Sequence, residues 1–205
     1  MEQKDFQQCI ERNAAVMAQI RESAHQLHDS VNQCYAVVHP YGYHLDMVAN
    51  GVHQYGAEVC VKKEDVLPLF FGAYYHDSIE DARLTYNDVK KIAQQYMNEK
   101  QAYMATEIVY ALTNDKGRTR AERAGEKYYQ GIRETPYAPL VKLADRLANV
   151  TYSCDHSDSL NARMKGIYRE ELPHFLSAIA PENPPADARL VLPQAMVDAL
   201  RALVK

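Results

Sequence analysis

The feature that most constrains the fold is an apolar run, residues 69–75, which ends directly in the charged sequence HDSIED. Because the run has no polar face, it predicts a helix that is buried on all sides. Charged side chains avoid such a position unless they are paired or bind a metal. If the helix continues, His76 and Glu80 share one face and Asp77 and Asp81 another, since each pair is four residues apart. A solvated helix end has the same spacing, so this segment alone does not establish a site.

Hydrophobic periodicity predicts helices along the whole chain, and no segment alternates with the period of two that indicates a strand. Asp65 is expected to cap the buried helix. The other predicted helices cover residues 3–31, 44–55, 86–98, 101–113, 119–133, 137–153, 158–179 and 188–203. We therefore expect an all-α fold, and a chain of 205 residues is long enough for one domain with a core of its own.

Composition excludes several classes of partner. The chain is 47% hydrophobic and 24% charged with a net charge of -4, whereas binders of nucleic-acid polymers or anionic membranes are usually basic. The four cysteines form no CxxC pair, and the N-terminus has no apolar signal segment. The longest apolar stretch, residues 66–75, is shorter than the roughly 20 residues of a membrane span. We expect a cytoplasmic protein with neither a nucleic-acid nor a membrane partner.

Two further segments place polar residues at helical spacing. In the predicted helix 137–153, Lys142, Asp145 and Asn149 lie opposite the apolar face. His44 opens another predicted helix. An amphipathic helix with a solvated polar face explains the first segment, and a core or capping histidine explains the second. Neither segment alone indicates a functional site.

Together, the three segments resemble the HD-domain phosphohydrolases, most closely the branch that contains the guanosine tetraphosphate (alarmone) hydrolases. In that branch His-x-x-x-Val-Ala precedes His-Asp-x-x-Glu-Asp, and Lys-Leu-Ala-Asp-Arg/Lys-Leu-x-Asn follows. Here the three motifs stand in the same order at residues 44–49, 76–81 and 142–149. The resemblance spans residues 35–155.

The resemblance implies a single-domain, HD-type helical bundle over residues 1–205, with a metal site between helices. The core around the metal site would cover about residues 35–155, and the C-terminal helices, 158–203, would pack on it.

The resemblance also implies a role for individual residues. The metal ligands would be His44, His76, Asp77 and Asp145. Glu80 and Asp81 would position and deprotonate water or protonate the leaving group, and Asn149 would contact the substrate. Two histidines and two carboxylates suit Mn²⁺, Fe²⁺, Co²⁺, Ni²⁺ or Zn²⁺ better than Mg²⁺ or Ca²⁺, and we expect one ion, Mn²⁺.

A cationic segment after residue 117 is a candidate for binding the substrate. Arginine can hold phosphate through two hydrogen bonds, and tyrosine can stack on a base. The predicted contacts are Arg120, Arg123, Lys127 and Tyr128, together with Lys142. A solvated helix balanced by Glu122 and Glu126 explains the segment equally well, and a structural ion pair is the alternative for Lys142. We expect His39, His156 and His174 to lie outside the site.

These features predict a metal-dependent phosphohydrolase acting on a small nucleotide-like substrate, with guanosine tetraphosphate as a candidate. Alarmone hydrolases carry a basic cluster shortly before the first histidine, whereas residues 30–38 here contain no Lys or Arg. A nucleotidase acting on (deoxy)nucleoside monophosphates is therefore an alternative. A non-catalytic regulatory module that binds metal and nucleotide is another. The apolar stripe of residues 3–31 is expected to pack on the core, with a homodimer contact as the alternative.

Overall fold

The computed structural model describes residues 1–114, 118–156, 158–181 and 186–205, without the side chains of residues 120 and 121. Across these residues the chain is almost entirely helical, which confirms the all-α class. The helices are α1 (Gln3–Arg12), α2 (Ala14–Ser30), α3 (Gly42–Tyr55), α4 (Val66–Tyr75), α5 (Tyr86–Ala93), α6 (Glu99–Leu112), α7 (Arg120–Arg123), α8 (Glu126–Glu134), α9 (Ala138–Asp155), α10 (Ser159–Ile179) and α11 (Gln194–Leu203). None of the described helices is both long and apolar enough to cross a bilayer.

Helices α3, α4 and α9 form the centre of the fold. Helix α9 packs on α3, α10 and α11, and α4 packs on α2, α3 and α6. The facing side chains, such as Leu45 and Val48 of α3 and Leu140 and Leu143 of α9, are inaccessible to solvent. Gly72 allows α4 to approach α6, because a Cβ there would lie 2.5 Å from Ile108 Cγ2. This packing fixes the end of α4, from which the charged segment begins.

The predicted helix over residues 3–31 is wrong in its continuity, because α1 ends at Arg12 and α2 begins at Ala14. Asn13 separates them. Its side-chain Nδ2 donates to the Cys9 carbonyl at 2.8 Å, so the side chain competes with the helical backbone for this acceptor. The apolar stripe itself packs on the core as expected, since Phe6 and Ile20 are both fully buried.

Other helix limits also differ from the prediction. Residues 119–133 form two helices, α7 and α8, and α5 ends at Ala93. Thr85 caps α5 as one half of a capping box with Asp88. Asp65 makes no side-chain capping hydrogen bond; it is buried, and its Oδ2 accepts from the Tyr137 hydroxyl at 2.7 Å.

A short antiparallel ladder interrupts the helices before α3. Strands β1 (Cys34–Tyr35) and β2 (His39–Pro40) pair Tyr35 with His39. Ala36 and Val37 reverse the chain between them at φ values of 50° and 71°. Two-residue strands are too short to show alternation, which is why the sequence did not predict them.

Candidate metal site and adjoining cavity

His76 follows directly after α4 and lies in the core with 2% of its surface exposed. Its Nδ1 donates to the Ala73 carbonyl at 2.9 Å. This hydrogen bond fixes the tautomer and leaves the Nε2 lone pair available to a metal. Nε2 is buried and makes no hydrogen bond with any described group, although Asp77 Oδ2 lies 2.9 Å away. The end of the apolar helix therefore presents a buried ligand atom beside a carboxylate oxygen.

His44 approaches the same point from the first turn of α3. Its Nε2 lies 3.3 Å from Asp145 Oδ1 and 3.7 Å from Asp77 Oδ2. His44, His76 and Asp145 each offer a ligand atom within 4.8 Å of the other two. All four predicted ligands thus converge from three separate segments of the chain. Their binding of a metal stays a prediction.

The charges of the four groups fit a cation. Burial raises the pKa of Asp77, but the imidazole of His76 outweighs this effect and brings the pKa below its ordinary value. Burial lowers the pKa of His76, but Asp77 and Asp145 outweigh it and raise that pKa to about 9. The cluster therefore attracts positive charge. A proton on His76 supplies it in the absence of metal, and a divalent cation would replace that proton.

Segment 76–81 forms consecutive turns and not the predicted extension of α4. Two short-range backbone hydrogen bonds remain there, from the Ser78 amide to the Tyr75 carbonyl at 2.9 Å and from the Asp81 amide to the Asp77 carbonyl at 2.8 Å. The segment is therefore not the continued helix on which the two pairs would share two faces. One cause is the His76 side chain, whose Nδ1 bonds to the Ala73 carbonyl, the acceptor that a continued helix would offer to the Asp77 amide.

The predicted acid–base pair has two different environments. Glu80 is exposed and accepts hydrogen bonds from Asn114 Nδ2 at 2.8 and 3.0 Å. Asp81 is half-buried and accepts from Gln33 Nε2 at 3.1 Å. Burial, together with the charge of Asp77, raises the pKa of Asp81 to about 6. Asp81 thus retains a proton to a higher pH than an ordinary aspartate.

The polar stripe of α9 connects the metal site with its surroundings. Lys142 Nζ lies 2.9 Å from Asp145 Oδ2, the ion pair named as the alternative to substrate binding. Asn149 Nδ2 donates to Asp145 Oδ1 at 2.6 Å, and Asn149 Oδ1 accepts from the Tyr35 hydroxyl at 2.9 Å. Both oxygens of Asp145 are therefore held by neighbours on its own helix.

A cavity of about 560 Å³ lies over this stripe, between α8 and α10. Its lining combines aromatic rings with cationic groups, and Lys142, Asp145 and Asn149 are shared with the stripe. Arg146 is held in its wall, because the guanidinium lies 4.2 Å from the Phe175 ring centroid and pairs with Glu171 at 2.8 Å. A ligand in this cavity would lie directly beside the candidate metal ligands.

Only some of the predicted substrate-binding residues line the cavity. Arg123 and Tyr128 line the cavity, whereas Lys127 is exposed on α8 and is not part of the lining. The side chain of Arg120 lies outside the described part of the chain. His174 also lines the cavity, so the expectation that it lies away from the site is wrong. Its position on α10, a helix that carries no predicted ligand, gave no local signal of this.

Sequence reasoning also missed several side chains that contact the site. They are Gln33, Tyr35, Tyr41, Asn114 and Arg146. Four of them are neutral polar residues in loops or at a helix end, where no spacing rule assigns a role. The unusual abundance of tyrosine, with 15 residues against 4 phenylalanines, is the one available signal.

The three segments that the sequence analysis singled out meet in the fold, with His44, His76 and Asp145 close together. The chain is similar to the solved structure of a metazoan ortholog of SpoT that hydrolyses ppGpp and plays a role in starvation responses. The two are 18% identical with a TM-score of 0.56, and the match covers 91% of this chain and 93% of the other. This likeness confirms the fold. Neither a family model nor a curated protein matches the sequence.

Proposed function

We propose that this protein is a metal-dependent phosphohydrolase that cleaves a phosphate ester or pyrophosphate group from a nucleotide-like substrate. The main support for this proposal is that His44, His76, Asp77 and Asp145 converge beside a cavity, and that cationic and aromatic side chains line this cavity. Guanosine tetraphosphate is the first candidate substrate, because the metazoan ortholog of SpoT that shares the fold hydrolyses ppGpp. The proposed enzyme is a single HD-type domain that acts in the cytoplasm.

The two histidines and two aspartates are the proposed ligands of one divalent ion, and Mn²⁺ suits this mixture of nitrogen and oxygen donors. When bound, such an ion lowers the pKa of a water molecule and supplies hydroxide near neutral pH. The protein contributes the orientation of the ligands. The Ala73 carbonyl holds the His76 ring, and Asn149 with Lys142 holds the Asp145 carboxylate.

The acid–base steps are assigned to Glu80 and Asp81. Asp81, with its raised pKa, is the proposed donor of a proton to the leaving oxygen. Glu80 is exposed and bonded to Asn114, which lines the cavity, so it is the proposed acceptor of the proton from the attacking water. Two carboxylates in unlike environments can thus take opposite roles at one pH.

Substrate binding is assigned to the cavity. Lys142 and Arg123 are the proposed contacts for negative charge, and Tyr128 contributes an aromatic surface to the wall. The volume of about 560 Å³ is within the range of small-molecule sites. Because Lys142 already pairs with Asp145, a phosphate would share this ammonium with the metal ligand.

The test is a metal analysis of the purified protein followed by a product screen in Mn²⁺. Release of pyrophosphate from guanosine tetraphosphate supports the alarmone activity, and release of phosphate from nucleoside monophosphates supports the nucleotidase. The absence of basic residues at 30–38 favours including the nucleotidase as a second candidate. Stoichiometric metal and bound nucleotide without any turnover would instead establish a regulatory module.

A further inference from the structure

Residues 33–41, which we call the site loop, connect α2 to α3 and include the β1–β2 ladder. Three of its side chains donate hydrogen bonds to residues of the candidate site. Gln33 donates to Asp81 at 3.1 Å, Tyr35 to Asn149 at 2.9 Å, and Tyr41 to Asp77 at 2.5 Å. One short segment thus contacts Asp81 of the proposed acid–base pair, the proposed ligand Asp77 and the asparagine that holds Asp145.

We propose that the site loop positions the metal ligands, with Tyr35 and Tyr41 as its positioning residues. The proposal rests on the proposed function, since it assumes a cation at this site. It also assigns a role to the part of the chain where the basic cluster of alarmone hydrolases is missing. The loop contains no Lys or Arg, so its role here is the positioning of protein side chains and not the binding of substrate phosphate.

Tyr35 acts on two proposed ligands. Its ring stacks on the imidazole of His44, with centroids 4.8 Å apart and planes 14° from parallel. Its hydroxyl donates to Asn149 Oδ1, so the amide must turn its nitrogen toward Asp145 Oδ1, 2.6 Å away. The ring thereby orients one ligand and the hydroxyl orients another.

Tyr41 acts on a third proposed ligand. Its hydroxyl donates to Asp77 Oδ2, and hydrogen bonds from a neutral donor to a carboxylate are stronger than those between neutral groups. The Tyr41 ring is itself held in place, because it stacks on the fully buried His28 with centroids 4.6 Å apart. Rotation of Asp77 would break this contact, so its orientation toward the two imidazoles is favoured.

The backbone of the site loop supports the same conclusion. Val37 is a β-branched residue at a φ of 71°. This conformation costs free energy and persists only where the surrounding structure imposes it. Val37 is 87% exposed, so no packing at this side chain imposes the conformation. The pairing of Tyr35 with His39, and the anchored tyrosines on either side, do so instead. The loop is thus held by its contacts with the site.

The experiment compares Co²⁺ binding in full-length wild-type, Tyr35→Phe and Tyr41→Phe proteins, each of which loses a single hydroxyl group. Co²⁺ is chosen because its visible absorption reports ligand geometry. Tyr43→Phe is the matched control. Tyr43 belongs to the same aromatic cluster, stacking on His39 at 4.5 Å, and is 42% exposed.

We expect both test variants to bind Co²⁺ about 10- to 100-fold more weakly, the usual effect of losing a residue that orients a ligand. Their Co²⁺ spectra should shift, whereas melting of the metal-free proteins should stay close to wild type. Tyr43→Phe should match wild type in affinity and spectrum. With an active substrate, the test variants should lose kcat with little change in KM, since the site loop does not bind the substrate.

Wild-type affinity and spectrum in both folded variants would overturn the inference and leave the proposed function intact. A rise in KM with kcat unchanged would also overturn it, because that pattern assigns the loop to the substrate. If one variant fails to fold, the Co²⁺ affinity and spectrum of the other variant test the inference alone. Wild-type protein that binds no divalent metal would contradict the proposed function itself, so the two failures are distinguishable.

Discussion

At the scale of single residues, the site is defined by which polar atoms have partners. His76 uses Nδ1 on the backbone and turns Nε2 toward Asp77 Oδ2 at 2.9 Å, while both oxygens of Asp145 are held by its helix neighbours. A buried imidazole nitrogen beside carboxylates is stabilised by positive charge, whether from a proton or from a metal ion. The arrangement would therefore favour a cation at one point, with the proposed ligands fixed around it.

Glu80 provides the most direct test of the proposed chemistry. Glu80→Gln keeps the size of the side chain but removes the proton acceptor, so we expect kcat to fall by more than about 10²-fold. Metal content should stay at the wild-type value, because Glu80 contacts Asn114 and not the ligands. Glu134→Gln, at an exposed position on α8, should change neither quantity. Near wild-type turnover in Glu80→Gln would remove this residue from the mechanism.

His28 predicts how stability depends on pH. Its ring is fully buried and neither nitrogen has a partner among the described groups, so burial lowers its pKa to about 4. The unfolded chain binds a proton at a pKa of about 6.5, whereas the folded chain does not. The contribution of His28 is therefore fully present above pH 6.5 and is lost as the pH falls toward 4. The slope is at most about 1.4 kcal/mol per pH unit for one proton.

Urea unfolding of the metal-free protein at pH 7 and pH 5 measures this contribution. His28→Gln has no titrating ring, so its free energy of unfolding should fall less between the two pH values than that of wild type. His53→Gln, at an exposed histidine, should retain the wild-type difference. Parallel pH dependence in wild type and His28→Gln would show that His28 does not titrate as the structure indicates.

At the scale of elements, the positions of the helices could be predicted from periodicity, but several of their ends could not. The cap at Thr85 follows from a local pattern, Thr85 with Asp88 three residues later. The break at Asn13 depends on a side-chain hydrogen bond to the Cys9 carbonyl, and the turns after His76 accompany one to the Ala73 carbonyl. Both bonds are local, but helical periodicity does not encode them, because it reports only the spacing of apolar residues.

The contact between α4 and α6 predicts a pair of glycine variants with opposite effects. Gly72→Ala would place a Cβ 2.5 Å from Ile108 Cγ2, so we expect a loss of about 1–3 kcal/mol of stability from overpacking. Gly131→Ala lies on α8 with no atom within 4 Å of the new Cβ, so a gain of roughly 0.5–1 kcal/mol is expected. Chemical denaturation measures both. Equal effects would contradict the close approach of α4 and α6.

At the scale of the whole molecule, the candidate site joins distant parts of the chain. The sequence predicted that His44, His76, Asp77 and Asp145 form one metal site. This prediction came from the order of three motifs in a family that the chain resembles, because residue spacing alone does not indicate it. The structure brings them within reach of one another. The cavity beside them could not be predicted, because α8, α9 and α10 contribute side chains whose sequence signals are those of ordinary amphipathic helices.

Because the ligands come from three segments, metal binding should stabilise the entire fold. At a free Mn²⁺ concentration of 100 times Kd, linkage predicts about 2.7 kcal/mol of added stability, which a chelator should remove. Asp77→Ala should abolish metal binding and turnover together, and it should melt at the same temperature with and without Mn²⁺. Asp198→Ala, at an exposed position on α11, should respond to Mn²⁺ as wild type does. Stoichiometric metal in Asp77→Ala would contradict the ligand assignment.

The cavity has its floor on α9 and its walls on α8 and α10, whereas three of the proposed ligands lie on α3 and at the end of α4. Replacing a side chain on either wall leaves the buried imidazoles untouched. Selection for a different ligand could therefore act on the walls while the proposed metal ligands are inherited unchanged, which makes this architecture well suited to diversification.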